Sequence, residues 1–170
     1  MKYSLQSQIL SRAIIFLLFL GATASLNAQS AIGLSFPDKK VKAGETVCLP
    51  ITVFNFQSML SMQYSVSFDP TKLKFIEIAE EKIPYLGPNN FGLQSINEGI
   101  LTVVWIDNDL KGISKAEGED VFSLCFEVIA PAGATTEIDF SPKPTPFEAV
   151  NLAEQVMGIN TKKGKLTVVD

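Results

Sequence analysis

The sequence predicts an all-β domain folded as a two-sheet sandwich. Three observations lead there. Short runs of alternating apolar and polar residues recur along the chain, each bounded by Gly, Pro, Asn or Asp. No segment carries a sustained helical period, and neither an internal repeat nor a low-complexity tail interrupts the pattern. Once an amino-terminal leader is set aside, the remaining length suits one domain with a real core.

That leader is residues 1–28. Lys2 and Arg12 supply a basic start, an apolar run follows from Ala13 to Leu20, and small residues continue to Ala28. This is the layout of a secretory signal, with cleavage expected after Leu26-Asn27-Ala28. The alternative, a membrane span, needs roughly 20 apolar residues, well beyond this run. No cysteine sits at the cleavage position, which argues against a lipid anchor. The expected product, residues 29–170, is soluble, monomeric and secreted to an extracellular location, with the periplasm and the cell surface as alternatives.

The elements follow in order. Ile32 to Phe36 opens the domain. Lys42-Ala43-Gly44-Glu45 turns into a strand from Thr46 to Phe54, with Val47, Leu49, Ile51 and Val53 on one face. Pro50 falls on the other side and suggests an edge or a bulge, because it has no N–H for the ladder. From Leu60 to Phe68, Met62, Tyr64, Val66 and Phe68 point one way and Ser61, Gln63, Ser65 and Ser67 the other. Asp69-Pro70-Thr71-Lys72 is a turn that the aspartate side chain can cap. Leu73 to Ile78 is a further strand. A Pro/Gly/Asn loop, Ile83 to Gly92, precedes a weak strand at Leu93 to Ile96.

Asn97-Glu98-Gly99 then turns into Ile100 to Ile106. Leu101, Val103 and Trp105 share the core side there, which leaves Thr102, Val104 and Ile106 outside. Asp107 to Asp120 reads as a polar loop with one helical turn. Val121 to Ala130 puts Phe122, Leu124, Phe126 and Val128 inward, and Thr135 to Phe140 adds a short strand. A proline-rich stretch, Ser141 to Pro146, follows it. Lys165 to Val169 closes the domain.

Composition narrows the chemistry. Removing Lys2 and Arg12 from the 14 basic residues leaves 12 against 18 acidic ones, a net charge of −6. That opposes nucleic acid or an anionic membrane as the main partner. Histidine is absent, and with it the commonest general base and any Ser-His-Asp triad. Asp107-Asn108-Asp109 lacks the glycine and distal glutamate of an EF-hand loop, so the acidic residues after Trp105 read as a solvated loop and no metal or cofactor is expected.

Two cysteines in an exported chain invite a disulfide. Strand parity turns both Cys48 and Cys125 away from the core. If their strands are neighbours in one sheet, the sulfurs lie on one outer surface within bridging range. The alternative is a pair of free thiols.

Ala43-Gly44-Glu45-Thr46-Val47 comes first, then Leu60 to Phe68 with Asp69-Pro70, then Leu73-Lys74-Phe75. Gly99 to Trp105, Val121-Phe122-Ser123-Leu124 and Gly164-Lys165-Leu166-Thr167-Val168 complete an ordered set that resembles a cohesin domain from about Ile32 to Val169. The cysteine pair and the stretch Pro142 to Phe147 look like the variant in large exported proteins of environmental bacteria, rather than the cellulosomal type. The resemblance implies a nine-stranded jelly roll related to carbohydrate-binding modules. It also implies no catalytic activity, and a sheet face that docks a dockerin, a small calcium-loaded helical module, in a polysaccharide-degrading assembly.

Carried over residue by residue, that face comprises Ser61, Gln63, Ser65, Val104, Ile106 and Asp107, with Ser95 as an outlying member. Gln63 stands where cellulosomal cohesins usually carry an acidic residue. Strand parity reaches the same surface independently, since it leaves Val104 and Ile106 exposed beside short polar side chains. The plainer alternative is that these aliphatics merely suit a strand. Carbohydrate binding is the competing function, with Tyr85 and Phe91 as the loop aromatics available for a polysaccharide. A purely structural or adhesive domain is the third.

Overall fold

The computed structural model describes residues 31–170. The expected leader and its cleavage point lie outside the described residues. The described residues form twelve strands and two short 3-10 turns. One sheet contains β1 (Ala31–Ser35), β3 (Thr46–Phe54), β5 (Leu73–Ala79) and β8 (Glu119–Val128), ordered β1-β3-β8-β5. The other contains β2 (Lys39–Lys42), β4 (Met59–Phe68), β6 (Phe91–Gly92), β7 (Ile100–Ile106), β9 (Thr135–Ser141), β10 (Glu148–Asn151) and β12 (Gly164–Val169). β11 (Val156–Lys162) belongs to both, since it pairs antiparallel with β10 at Met157 and parallel with β1 from Gly158 onward.

The expected jelly-roll sandwich is present, and the strand count follows from two interruptions. Pro37 separates β1 from β2, so a single passage of chain serves first one sheet and then the other. Between them Phe36 is fully buried and stacks on Phe140 with ring centroids 4.6 Å apart. Likewise β9 and β10 are two halves of one strand alongside β4, parted by the proline-rich residues 142–147. Joining each pair leaves nine full passages and the two-residue β6.

Alternation puts one apolar face of each sheet inward, where burial is favourable at about 25 cal/mol per Å² of apolar surface. Trp105, Tyr64, Phe36, Phe56, Phe122 and Phe126 are fully buried. The indole Nε1 donates to the Pro84 carbonyl at 2.7 Å, which satisfies its one polar atom beneath the 83–90 loop. Gly99 makes the turn into β7 at φ 78°, and a Cβ there would collide with the Phe68 carbonyl.

Pro50 sits in the middle of the first sheet, not at its margin, beside a register shift between Ile51 and Thr52, and the ladder explains why it is tolerated. Cys48 and Cys125 are directly opposed with Cα atoms 4.0 Å apart, which marks the close, non-hydrogen-bonded kind of pair. Pro50, two residues on, has the same parity, so its nitrogen points away from β8. On that side β1 has already left the sheet after Ser35.

Several local expectations fail. No strand forms at Leu93 to Ile96; the pairing is at Phe91–Gly92, and Ile96–Glu98 is a 3-10 turn. The segment from Asp107 to Gly118 contains no helix: hydrogen-bonded turns close at Leu110 and Glu119, and between them Ile113 bridges to Met59. β2, β10 and β11 carry too few apolar side chains to show a period of two.

Candidate functional site

The outer face of the second sheet is built on the pairing of β4 with β7. Asp107 N–H donates to the Leu60 carbonyl at 2.7 Å, so the pair 60/107 is of the hydrogen-bonded kind. The next pairs outward, Ser61 with Ile106 and Gln63 with Val104, are therefore the close kind, with side chains side by side. β10 extends both rows, bringing Val150 beside Ser61 and Glu148 beside Gln63. Each row thus reads polar or aliphatic across three strands.

Val104 is 42% exposed and Ile106 49%, while Trp105 between them is 0% exposed. The alternation is that of a half-buried strand. Around Ser61, Gln63, Val104, Ile106 and Glu148 the surface is dimpled by only about 110 Å³. It is a platform, not a pocket.

The 85–90 loop forms a wall beside the platform. Asn90 Nδ2 donates to the Val104 carbonyl at 2.8 Å, and its Oδ1 accepts the Gly87 N–H at 2.8 Å, so one amide ties the loop to the free edge of β7. Between this wall and Val104, Ile106 and Asn108 lies an open concavity of about 540 Å³. Tyr85 lines it in a left-handed backbone conformation, φ 64°. Its phenol is held above the usual range, chiefly by a hydrogen bond to the Asp109 carboxylate. Asp109 also pairs with Lys111 at 3.1 Å.

Three of the expected face residues are elsewhere or occupied. Asp107 is fully buried: its carboxylate accepts the N–H groups of Asp109 (3.1 Å), Lys111 (2.9 Å) and Gly112 (2.8 Å). It organises the loop after β7 and presents nothing to a partner. Ser65 has outward parity but is also fully buried, because residues 142–147 fold over it. Its hydroxyl accepts from Thr145 N–H at 3.0 Å and faces the Thr145 carbonyl at 3.3 Å.

Ser95 precedes the turn into β7, at the Ile100 end. Six residues at about 3.4 Å each, roughly 20 Å, separate that end from Ile106. The structure therefore groups Ser61, Gln63, Val104 and Ile106 and excludes Ser65, Ser95 and Asp107.

Sequence reasoning missed neighbours of that group. Leu110, 63% exposed, and Leu152, 46% exposed, lie in the loops that leave the Ile106 end of the sheet. Neither sits in an alternating run, so no periodicity marks them. Phe91, weighed as a surface aromatic, is only 9% exposed and packs edge-on against Phe122.

On the opposite sheet, Cys48 and Cys125 are joined by a disulfide, with Cys48 exposed and Cys125 covered. Among the described residues no group of three or more His, Cys, Asp or Glu side chains is placed to hold a metal ion. No helix among them is long and apolar enough to cross a membrane.

The fold is similar to a type I cohesin–dockerin complex of Clostridium thermocellum, with TM-score 0.68 and 16% identity over 82% of this chain and 100% of that one. It is similar to the sixth cohesin of scaffoldin B from Acetivibrio cellulolyticus, solved with a Cel5 dockerin, at TM-score 0.67 and 18% identity over 82% and 99%. A non-cellulosomal cohesin from the archaeon Archaeoglobus fulgidus gives TM-score 0.64 and 15% identity over 83% and 93%. No curated protein matches the chain in sequence. The sequence matches the family model for the cohesin domain over residues 32–168, and the chain belongs to that family.

Proposed function

We propose that this cohesin is a secreted, monomeric, non-catalytic recognition module that docks a dockerin-type partner on the β4/β7 platform. One observation carries the reading. Two adjacent aliphatic side chains, Val104 and Ile106, stand exposed on a rigid sheet beside Ser61, Gln63 and Glu148. A docking surface needs an apolar centre to exclude water and a few polar groups to fix register. Placing the aliphatics on a strand keeps their positions fixed before binding, so little ordering is needed. The solved relatives include cohesins in complex with dockerins, which supports the choice of partner.

The test is calorimetric titration of the domain with a panel of calcium-loaded dockerin modules. Saturable binding to at least one, abolished when a chelator removes the dockerin's calcium, is expected. Failure of the whole panel contradicts the reading.

A further inference from the structure

Charge is unevenly distributed on this acidic protein. Between Ala31 and Asp170 there are twelve lysines and no arginine. Six of them, Lys39, Lys40, Lys42, Lys162, Lys163 and Lys165, come together where β2 meets β12 and β11 ends. β2 runs parallel to β12, with Lys39 opposite Leu166, Lys40 opposite Thr167 and Lys42 opposite Val169. Val41 alone points inward in β2, so Lys40 and Lys42 stand outward, next to the outward-facing Lys165 and Thr167. Lys39, Lys40, Lys165 and Thr167, with Asp38, line an open concavity of about 310 Å³.

The two halves of the lysine set differ in how they are neutralised. Of the six lysines elsewhere, five are in ion pairs with carboxylates: Lys72, Lys74, Lys82, Lys111 and Lys115. Of the six in this corner only Lys163 is paired among the described residues, at 2.8 Å from Glu137. Asp38 is engaged by the Lys165 backbone N–H at 2.8 Å, and Glu45 by that of Lys42. Lysines on an exposed edge strand discourage strand addition, which accounts for β2. That does not account for Lys165, on an interior strand, or for Lys162 on β11.

We infer that this corner binds an acidic polysaccharide, a chain whose sugars carry carboxylate or sulfate groups. Lys40 and Lys42 are about 6.6 Å apart along the strand, and Lys165 is one strand spacing of about 4.8 Å further in. Charges at that interval match a polymer with about one anion per sugar, and an ammonium, as a compact point charge, serves a sparse polyanion without fixed geometry. Denser polyanions fit less well. Duplex DNA carries one charge per roughly 1.7 Å, far denser than the interval between these lysines. The corner also offers no aromatic side chain for base stacking and no exposed apolar one to enter a membrane. The site is separate from the β4/β7 platform and does not depend on dockerin binding.

The test is affinity electrophoresis in gels containing polygalacturonate, iota-carrageenan or neutral dextran, at two salt concentrations. Retardation by the polygalacturonate or iota-carrageenan gel, not by neutral dextran, and weakened by salt, is expected; the two polyanions distinguish carboxylate from sulfate recognition. The K40Q/K42Q/K165Q variant, altered only at exposed positions, should bind at least about tenfold more weakly. K74Q/K82Q/K111Q, with the same change in net charge at ion-paired positions, should stay within about twofold of the parent. Three results overturn the inference: no retardation by either polyanion, equal loss in both variants, or tighter binding to duplex DNA or phosphatidylserine vesicles than to polygalacturonate.

Discussion

Ser65 Oγ lies 3.0 Å from the Thr145 nitrogen and 3.3 Å from its carbonyl oxygen, so one side chain on β4 replaces the ladder where the neighbouring strand breaks. The break is produced by Pro142, Pro144 and Pro146, which cannot donate to β4. Ser65→Ala would leave both backbone groups of Thr145 without that partner in a covered site. A loss of about 1–2 kcal/mol is expected, read as a lower denaturant midpoint at unchanged m. Dockerin affinity should be unchanged, because Ser65 is not on the accessible platform; a large affinity loss without a stability loss would return it there.

The same logic applies to Asp107. Its carboxylate accepts three backbone N–H groups, so Asp107→Ala should destabilise the domain by about 2–3 kcal/mol. Asp107→Asn keeps one acceptor oxygen and should recover part of this. Equal stability of the alanine variant and the parent in urea titration would contradict the assignment.

The disulfide closes a sequence separation of 77 residues. On the chain-entropy account, that constrains the unfolded chain by about 4 kcal/mol. The Cys48→Ser/Cys125→Ser pair should therefore unfold at a markedly lower denaturant concentration, and reductant should shift the parent but not the variant. Identical midpoints for the two proteins would show that the bond contributes nothing.

Tyr64 is wholly buried, and its hydroxyl has no hydrogen-bond partner among the described residues. Tyr64→Phe should be neutral or stabilising, by up to about 1 kcal/mol near pH 7. Burial pushes the phenol pKa up, whereas the unfolded chain ionises near 10. The neutral ring is thus favoured by the fold, and its contribution is complete below about pH 10 and lost as pH rises further. The difference between parent and Tyr64→Phe should widen between about pH 9 and 11; parallel profiles would contradict it.

Much of the sandwich was legible because the long strands have one apolar face each. Phe122, Leu124, Phe126 and Val128 point inward by simple alternation, and the facing of Cys48 and Cys125 follows from the same count. What failed depended on hydrogen bonds between residues distant in sequence. Nothing in a run of polar letters says that Asp107 turns back to gather three N–H groups, or that Thr145 folds over Ser65 from 80 residues away. Ser95 lies off the strand because the pairing ends at Gly92 and a 3-10 turn leads from Ile96 to Gly99. β2 and β11 are strands by tertiary pairing, since their lysines and Asn160 would not choose that conformation alone.

Val104 and Ile106 are the apolar centre of the proposed docking platform. Both are exposed on a strand whose core side is intact, so Val104→Asp with Ile106→Lys should fold with a stability loss of about 1 kcal/mol or less. Calorimetric titration of this variant, beside the parent, against a calcium-loaded dockerin that binds the parent is the most direct measurement. Binding should fall by at least about a hundredfold, as expected when charge replaces the centre of a docking surface. Affinity equal to the parent's, in a variant that melts normally, would contradict it.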